Sequence, residues 1–310
     1  MAGAVDLWEK PKAEQINMLV GWRQWADAGT VSSGLPAYLI ERLGAEKIGE
    51  IRPDGFYLFQ IPGTHDLVRP VVKFDQGYPE SLDTPHNEFF YKGDQNHGLV
   101  IFEGDEPHID VERYIASVLD AAEELGVKRI VGFGGVYGEL PYDKERMISA
   151  NYSIPEMKDS LEKLAVNFSD YHGGASIGSY ICKRAGERGM EYVGLYAFVP
   201  TYDFSKVSEV GNAIRLEKDY TAWLGVMRRV NFMLNLNFDL ADLEAKSEQL
   251  TKLVDAKVEE IDQAAPEIGI RAYLDQLSEE FDSQTFEPLD EFWEDELKRL
   301  FDKMDNGDDE

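Results

Sequence analysis

Leu99-Val100-Ile101-Phe102-Glu103-Gly104-Asp105-Glu106-Pro107 is an unbroken apolar run closed by acidic turn residues. Four consecutive apolar residues stopped by Gly and Pro suit a strand buried on both faces. Behind it, Val111, Ile115, Val118, Ala122 and Leu125 recur at steps of three and four, the stripe of an amphipathic helix. Gly126 stands where a left-handed stop belongs, with Val127 placed for the accompanying apolar contact. Ile130 to Phe133 reads as the next buried strand. Strand, helix and strand in this order imply a right-handed crossover in a parallel sheet.

The same alternation extends in both directions. Toward the N-terminus, Ile16-Asn17-Met18-Leu19-Val20 is a short buried strand, and Gly21 to Gly29 is a loop holding Trp22, Trp25 and Asp27. A helix follows with Leu35, Leu39 and Leu43 on one face, Ser32 or Ser33 as cap, Pro36 in its first turn and Gly44 as its stop. Lys47 to Ile51, Phe56 to Phe59 and Val68 to Phe74 are short strands suited to antiparallel edges, while residues 75–97 read as a long irregular connection. Toward the C-terminus, Ser153-Ile154-Pro155-Glu156 fits a capping box before Met157, Leu161 and Leu164. Another helix spans Ser176 to Gly189, and Tyr192 to Val199 is an apolar strand stopped by Pro200. The expected fold class is α/β: a three-layer α/β/α body with a mostly parallel sheet.

Near residue 205 the character changes to acid-rich helical patterns. Residues 1–225 are expected to form the α/β domain, and residues 226–310 a helical extension with an acidic tail. Leu236, Leu240, Leu243, Leu250, Val254 and Ile261 form one stripe, ended by Pro266. Ile270, Leu274, Leu277 and Phe281 form a second, and Leu289, Phe292, Trp293, Leu297, Leu300, Phe301 and Met304 a third. These stripes must be buried, on one another, on the α/β domain or on another subunit.

The 310 residues carry a formal net charge of −28 and one cysteine, Cys182. That excludes an intrachain disulfide and fits a reducing compartment. No basic segment followed by an apolar run opens the sequence, and no apolar stretch approaches a membrane span, so a soluble cytoplasmic protein is expected. The overall field repels nucleic acid and anionic membranes. The acidity serves solubility or a basic protein partner.

Ligand sites in open parallel sheets form beyond the C-terminal strand ends. Four segments follow strands: 21–29, 103–107, 134–142 and 200–202. They would crowd Asp27, Glu103, Asp105, Glu106 and Glu139 onto one rim. Such carboxylates can bind a cation, raise each other's pKa or act as an acid/base pair; equally, Asp27 and Asp105 can cap turns by accepting backbone N–H bonds. Trp22, Trp25, Tyr137, Tyr142 and Tyr202 lend the rim an aromatic character that suits either a protein interface or lid packing. Gly174-Ala175-Ser176-Ile177-Gly178 matches the nucleophile elbow, but a polar segment precedes it and no His follows Ser176. Its plainer reading is a Gly-rich helix entry capped by Ser176, which can also receive an anion. Gly132 to Gly138 is not a dinucleotide fingerprint, and His65, His86, His97 and His108 lack metal-ligand spacing. No catalytic residue, metal or cofactor is therefore assigned.

Several segments taken in order resemble the proteasome assembly chaperone 2 (PAC2) family. They are Leu19-Val20-Gly21-Trp22 with Trp25-Ala26-Asp27-Ala28-Gly29; Ile101 to Pro107 with the helix ending at Leu125-Gly126-Val127; Gly132 to Gly138 with Pro141; Tyr171-His172-Gly173-Gly174 leading into Ile177-Gly178; and Phe198-Val199-Pro200-Thr201-Tyr202. The resemblance covers roughly residues 16–230. It implies a phosphorylase-like α/β/α fold, a homo-oligomer with a trimer as the expected form, and an assembly-chaperone or scaffold role toward a protein partner. Many relatives have Pro-His-Thr-Arg where this chain has Pro141-Tyr142-Asp143-Lys144. The Gly307-Asp308-Asp309-Glu310 ending differs from the hydrophobic-Tyr-x docking tail of archaeal assembly factors. The alternative is a small-molecule binder or enzyme, for a nucleoside-like or anionic ligand, using the carboxylate rim. For either, the expected rim is Trp22, Trp25, Asp27, Gly29, Glu103, Glu106, Glu139, Tyr142, Gly174, Ser176 and Tyr202.

Overall fold

The computed structural model describes residues 4–23, 25–60, 68–202, 214–266, 269–281 and 286. The strands are β1 (Val5–Leu7), β2 (Gln15–Arg23), β3 (Glu46–Ile51), β4 (Val71–Asp75), β5 (Tyr78–Asp83), β6 (Asn87–Gly93), β7 (His97–Asp105), β8 (Val127–Gly138), β9 (Ile148–Tyr152), β10 (Asn167–Phe168), β11 (Glu191–Tyr202) and β12 (Ile214–Arg215). The helices are α1 (Gly34–Leu43), α2 (Val111–Glu124), α3 (Lys158–Glu162), α4 (Ile177–Glu187), α5 (Tyr220–Leu234), α6 (Ala241–Ala264) and α7 (Ile270–Glu280).

The main sheet runs β1-β3-β6-β7-β2-β8-β11-β9-β10, with β12 on β11. Its centre, β7-β2-β8-β11, is parallel throughout. Antiparallel strands flank it, β6, β3 and β1 on one side and β9 on the other. Successive residues of β2 point to opposite faces, so Met18 and Val20 join one core and Leu19 the other. The first core packs Ile115, Val118 and Leu119 of α2 and Ile181 and Ala185 of α4 under the sheet. The second packs Leu35 and Leu39 of α1 and Trp223, Val226, Met227 and Val230 of α5. Two helical layers thus sandwich the sheet, as the alternating pattern required. No helix among the described residues is long and apolar enough to cross a membrane.

The helical extension adds to the second core. Leu243, Val254 and Val258 of α6 and Ile270 and Leu274 of α7 are buried in it. Helix α5 runs across residue 225, the boundary expected between domain and extension. The third stripe, Leu289 to Met304, and the acidic tail lie outside the described residues.

Several local expectations are corrected. Residues 75–97 are not irregular: they hold β5, β6 and a Gln76-Gly77 turn with both residues at positive φ. Every residue of β5 is exposed, so burial leaves no alternation in its sequence, whereas the expected strand at Val68 to Phe74 corresponds to β4. Phe56 to Phe59 is a turn rather than a strand, with Phe56 plugged edge-on against Tyr114. Strand β2 continues to Arg23, three residues into the expected loop. Pro200 does not end β11, because the β9 ladder stops at Ala197 and proline is tolerated beyond the doubly paired part of a strand. Ser153 does not cap a helix: its Oγ donates to Met190 O at 2.7 Å and accepts from Tyr192 N at 2.8 Å, and Pro155–Met157 form a 3-10 turn ahead of α3.

Candidate functional site

The crossover after β2 leads toward β7, on one side, while β8 lies on the other. The C-terminal ends of β2 and β8 are therefore a topological switch point, where departing connections leave a crevice. The segment after β2 is stitched to β8 by Gly135 N donating to Ala26 O at 2.8 Å and by a bridge between Asp27 and Gly135. Glycine is required there: a methyl on Gly135 would sit 2.0 Å from Ala28 O.

Asp27 is the pin of this segment. One carboxylate oxygen accepts from the amides of Ser32 and Ser33 at 2.9 Å each, and the other from Ser33 Oγ at 2.7 Å. Burial pushes its carboxyl upward, against the pull of these Ser33 and Ser32 bonds. Beneath it Gly29, at φ 60°, presents a carbonyl that accepts from Trp223 Nε1 and Asp219 N, both at 3.0 Å. Glu106 ties a third element in, accepting from Ile177 N at 3.0 Å at the start of α4. Burial raises its carboxyl too; the amides of Ile177 and Trp25 lower it and nearby Asp27 adds to the rise. Paired carboxyls raised in this way mark a candidate functional site, yet both accept from backbone amides, with the Ser33 hydroxyl also on Asp27, which is structural work.

Beside these loops opens a cavity of about 490 Å³. Trp25, Asp27, Gly135, Tyr137, Gly174 and Ser176 form part of its wall, completed by Ser149 and Asn151 of β9 and Tyr196 and Phe198 of β11. Ser176 caps α4, its Oγ accepting from Ser179 N. Its hydroxyl lies 3.0 Å from Ser179 Oγ and 3.4 Å from Tyr196 OH, and Ser179 Oγ lies 3.2 Å from Tyr196 OH. The three hydroxyls form a cluster. No Lys, Arg or His lines the cavity among the described residues. Nor do the described residues hold a group of three His, Cys, Asp or Glu side chains placed for a metal.

The expected rim divides into three. Trp25, Asp27, Gly174 and Ser176 meet at the cavity; Glu106 and Trp22 stand behind it, Trp22 Nε1 donating to Tyr114 OH at 2.9 Å. Glu103 belongs to a polar cluster beside β6, 3.6 Å from His86 Nε2, next to Arg23 bound to both oxygens of Asp105. Glu139, Tyr142 and Tyr202 are drawn to the helical extension. Tyr142 OH donates to Asp255 of α6 at 3.0 Å, Tyr202 OH donates to Leu140 O and its ring meets Tyr273 of α7 edge-on, and Glu139 acts electrostatically on Tyr273. Ser149, Asn151, Ser179, Tyr196 and Phe198 escaped the sequence reading. The alternation of buried Ile148 and Ala150 with Ser149 and Asn151 was the available signal.

The PAC2 family model matches residues 22–258. A Mycobacterium tuberculosis protein of unknown function superposes with a TM-score of 0.71 at 19% identity, covering 91% of this chain and 92% of its own. A proteasome-assembly chaperone homologue from the same organism reaches 0.65 at 20%, covering 78% and 94%. Pyrococcus furiosus PbaB, described as an archaeal proteasome activator, reaches 0.59 at 19%, covering 82% and 98%. At these identities the likeness is one of fold. Among curated proteins none matches the chain significantly.

Proposed function

This chain belongs to the PAC2 family, and from that premise we propose that it works as a protein-binding factor of the assembly-chaperone kind. The observation that carries the reading is the β4–β5 hairpin. Among the described residues it pairs only with itself, and Val72, Phe74, Tyr78 and Leu82 are 44%, 59%, 74% and 62% exposed. The register sets Val72 opposite Leu82. A lone two-stranded hairpin is marginal in water, and clustered exposed apolar side chains mark interaction surfaces. Covering this hairpin with a protein partner satisfies both conditions. The proteasome-related neighbours support the same class of role.

Self-association is part of this proposal, with the trimer implied by the family resemblance as its form; light scattering reporting a monomer would overturn that part. The partner role is tested by purifying the tagged chain from its native host beside a Val72→Ser/Phe74→Ser/Leu82→Ser variant. The wild type should retain one defined protein in fixed stoichiometry by native mass spectrometry, and the variant should lose it while keeping its melting temperature. Equal retention by both chains rejects the hairpin as the docking element.

A further inference from the structure

We propose that the switch-point cavity is a binding site for an uncharged small molecule that carries a flat ring and several hydroxyls, a glycoside or nucleoside in chemical class. The inference is independent of the protein-partner reading, since the hairpin does not line this cavity.

Position is the first support. Ligands of open α/β sheets bind outside the carboxyl ends of strands where the strand order reverses, and residues 25–28 and 135–137 line the cavity at that place. Its volume of about 490 Å³ falls within the range of small-molecule sites. The second support is the chemistry of the wall. Trp25 and Tyr171 stand at its border 71% and 70% exposed, flat faces suited to a ring. Deeper, the hydroxyls of Ser176, Ser179 and Tyr196 lie within 3.4 Å of one another. Each can both donate and accept, which suits a ligand hydroxyl. In the same wall Asn151 stands beside Tyr196 and adds an amide to the hydroxyl cluster.

The third support is charge. A phosphate or carboxylate needs a cation; none lines the described wall, where Asp27 stands, and nearby Arg215 lies over the Tyr137 ring instead. Asp27 is saturated by Ser32 and Ser33, so it is not free to act as a base. The arrangement therefore suits binding of a neutral ligand without chemistry on it.

The test uses the full chain in calorimetric titration with three neutral probes, uridine, adenosine and 4-nitrophenyl glucoside, and with the 5′-monophosphates of the first two. At least one neutral probe should bind with a Kd at or below about 1 mM, and its monophosphate should bind about tenfold more weakly or worse. Preference for uridine and adenosine over the glucoside identifies the nucleoside form of the class, and the reverse the glycoside form. Tyr196→Phe and Trp25→Ala should each weaken the bound probe by about tenfold. Trp25 is exposed, so its replacement leaves the fold intact even if Tyr196→Phe does not. Failure of all three neutral probes at millimolar concentration, equal or tighter binding of the monophosphate, or unchanged binding by a folded Trp25→Ala chain would overturn the proposal.

Discussion

Arg146 Nε donates to Asp219 Oδ2 at 2.7 Å, with the two side chains 1% and 0% exposed. Arg146 also binds the carbonyls of Tyr142 and Lys144, while Asp219 caps α5 through Thr221 N and Ala222 N. Asp219 N in turn donates to Gly29 O, so this pair links the segment after β8, the start of α5 and the backbone of the Asp27 segment. Removing one member of a buried pair strands the other charge. Arg146→Leu should lower the free energy of unfolding by about 3–5 kcal/mol, read from urea melts. A loss below about 1 kcal/mol would show that Asp219 is satisfied without it.

Gly135 is the seam between the β2 loop and β8. Gly135→Ala drives a methyl against Ala28 O, which is backbone and cannot swing away. Overpacking of this kind costs about 1–3 kcal/mol. The expected signature is a lower melting temperature together with faster amide exchange at the amides of residues 28–33.

Asp27→Ala removes three accepted hydrogen bonds at the entrance to α1. Capping losses amount to about 0.5–2 kcal/mol, and relief of a buried carboxylate offsets part of this. A destabilisation in that range, measured in urea, is expected.

His86 has its pKa raised, chiefly by the Glu103 carboxylate 3.6 Å away, against desolvation and the Arg23 charge, with Asp105 adding to the rise. A raised folded pKa means that the protonated imidazole is favoured in the folded state. Its contribution is present below the unfolded value near 6.5 and is lost as pH rises through the folded one. The difference in stability between about pH 6 and pH 8 should therefore shift toward greater stability at the acid end in the wild type than in His86→Gln. Parallel pH curves for the two chains would remove His86 from the account.

Cys182 is buried and its thiol is pushed up to about 12 by desolvation. The thiolate is the reactive form, so maleimide labelling of the native chain at neutral pH should be slow and become rapid in urea. Rapid native labelling would mean that α4 opens readily.

Much of the body was legible in the residues alone, for a local reason. Periods of 2 and 3.6, and the φ preference of glycine, are written in neighbouring positions. Gly44, Gly126 and Gly189 all stop helices at positive φ, and Ser176 caps α4 as its sequence context indicates. The antiparallel β5 was hidden because it buries neither face, and burial is what creates the signal. The approach of the Trp25–Asp27 segment to Gly135 followed from strand order, which the alternation of buried strands and helices implies.

What tertiary structure alone decided is the identity of the partners. Arg146 and Asp219 stand 73 positions apart, and no local pattern couples them. Tyr142 and Tyr202 left the rim because α6 and α7 fold back over that end, a consequence of where two apolar stripes find burial. Asn151 and Tyr196 reached the cavity through the register of β9 against β11, with Ala150 opposite Leu195 and Ser149 opposite Tyr196. Sequence by itself determined the buried central strands β2, β7, β8 and β11 and the helices beside them, because each is stabilised by its own repeat. Which side chains share the cavity was set by register and packing across the sheet, energies that exist only once distant strands have met.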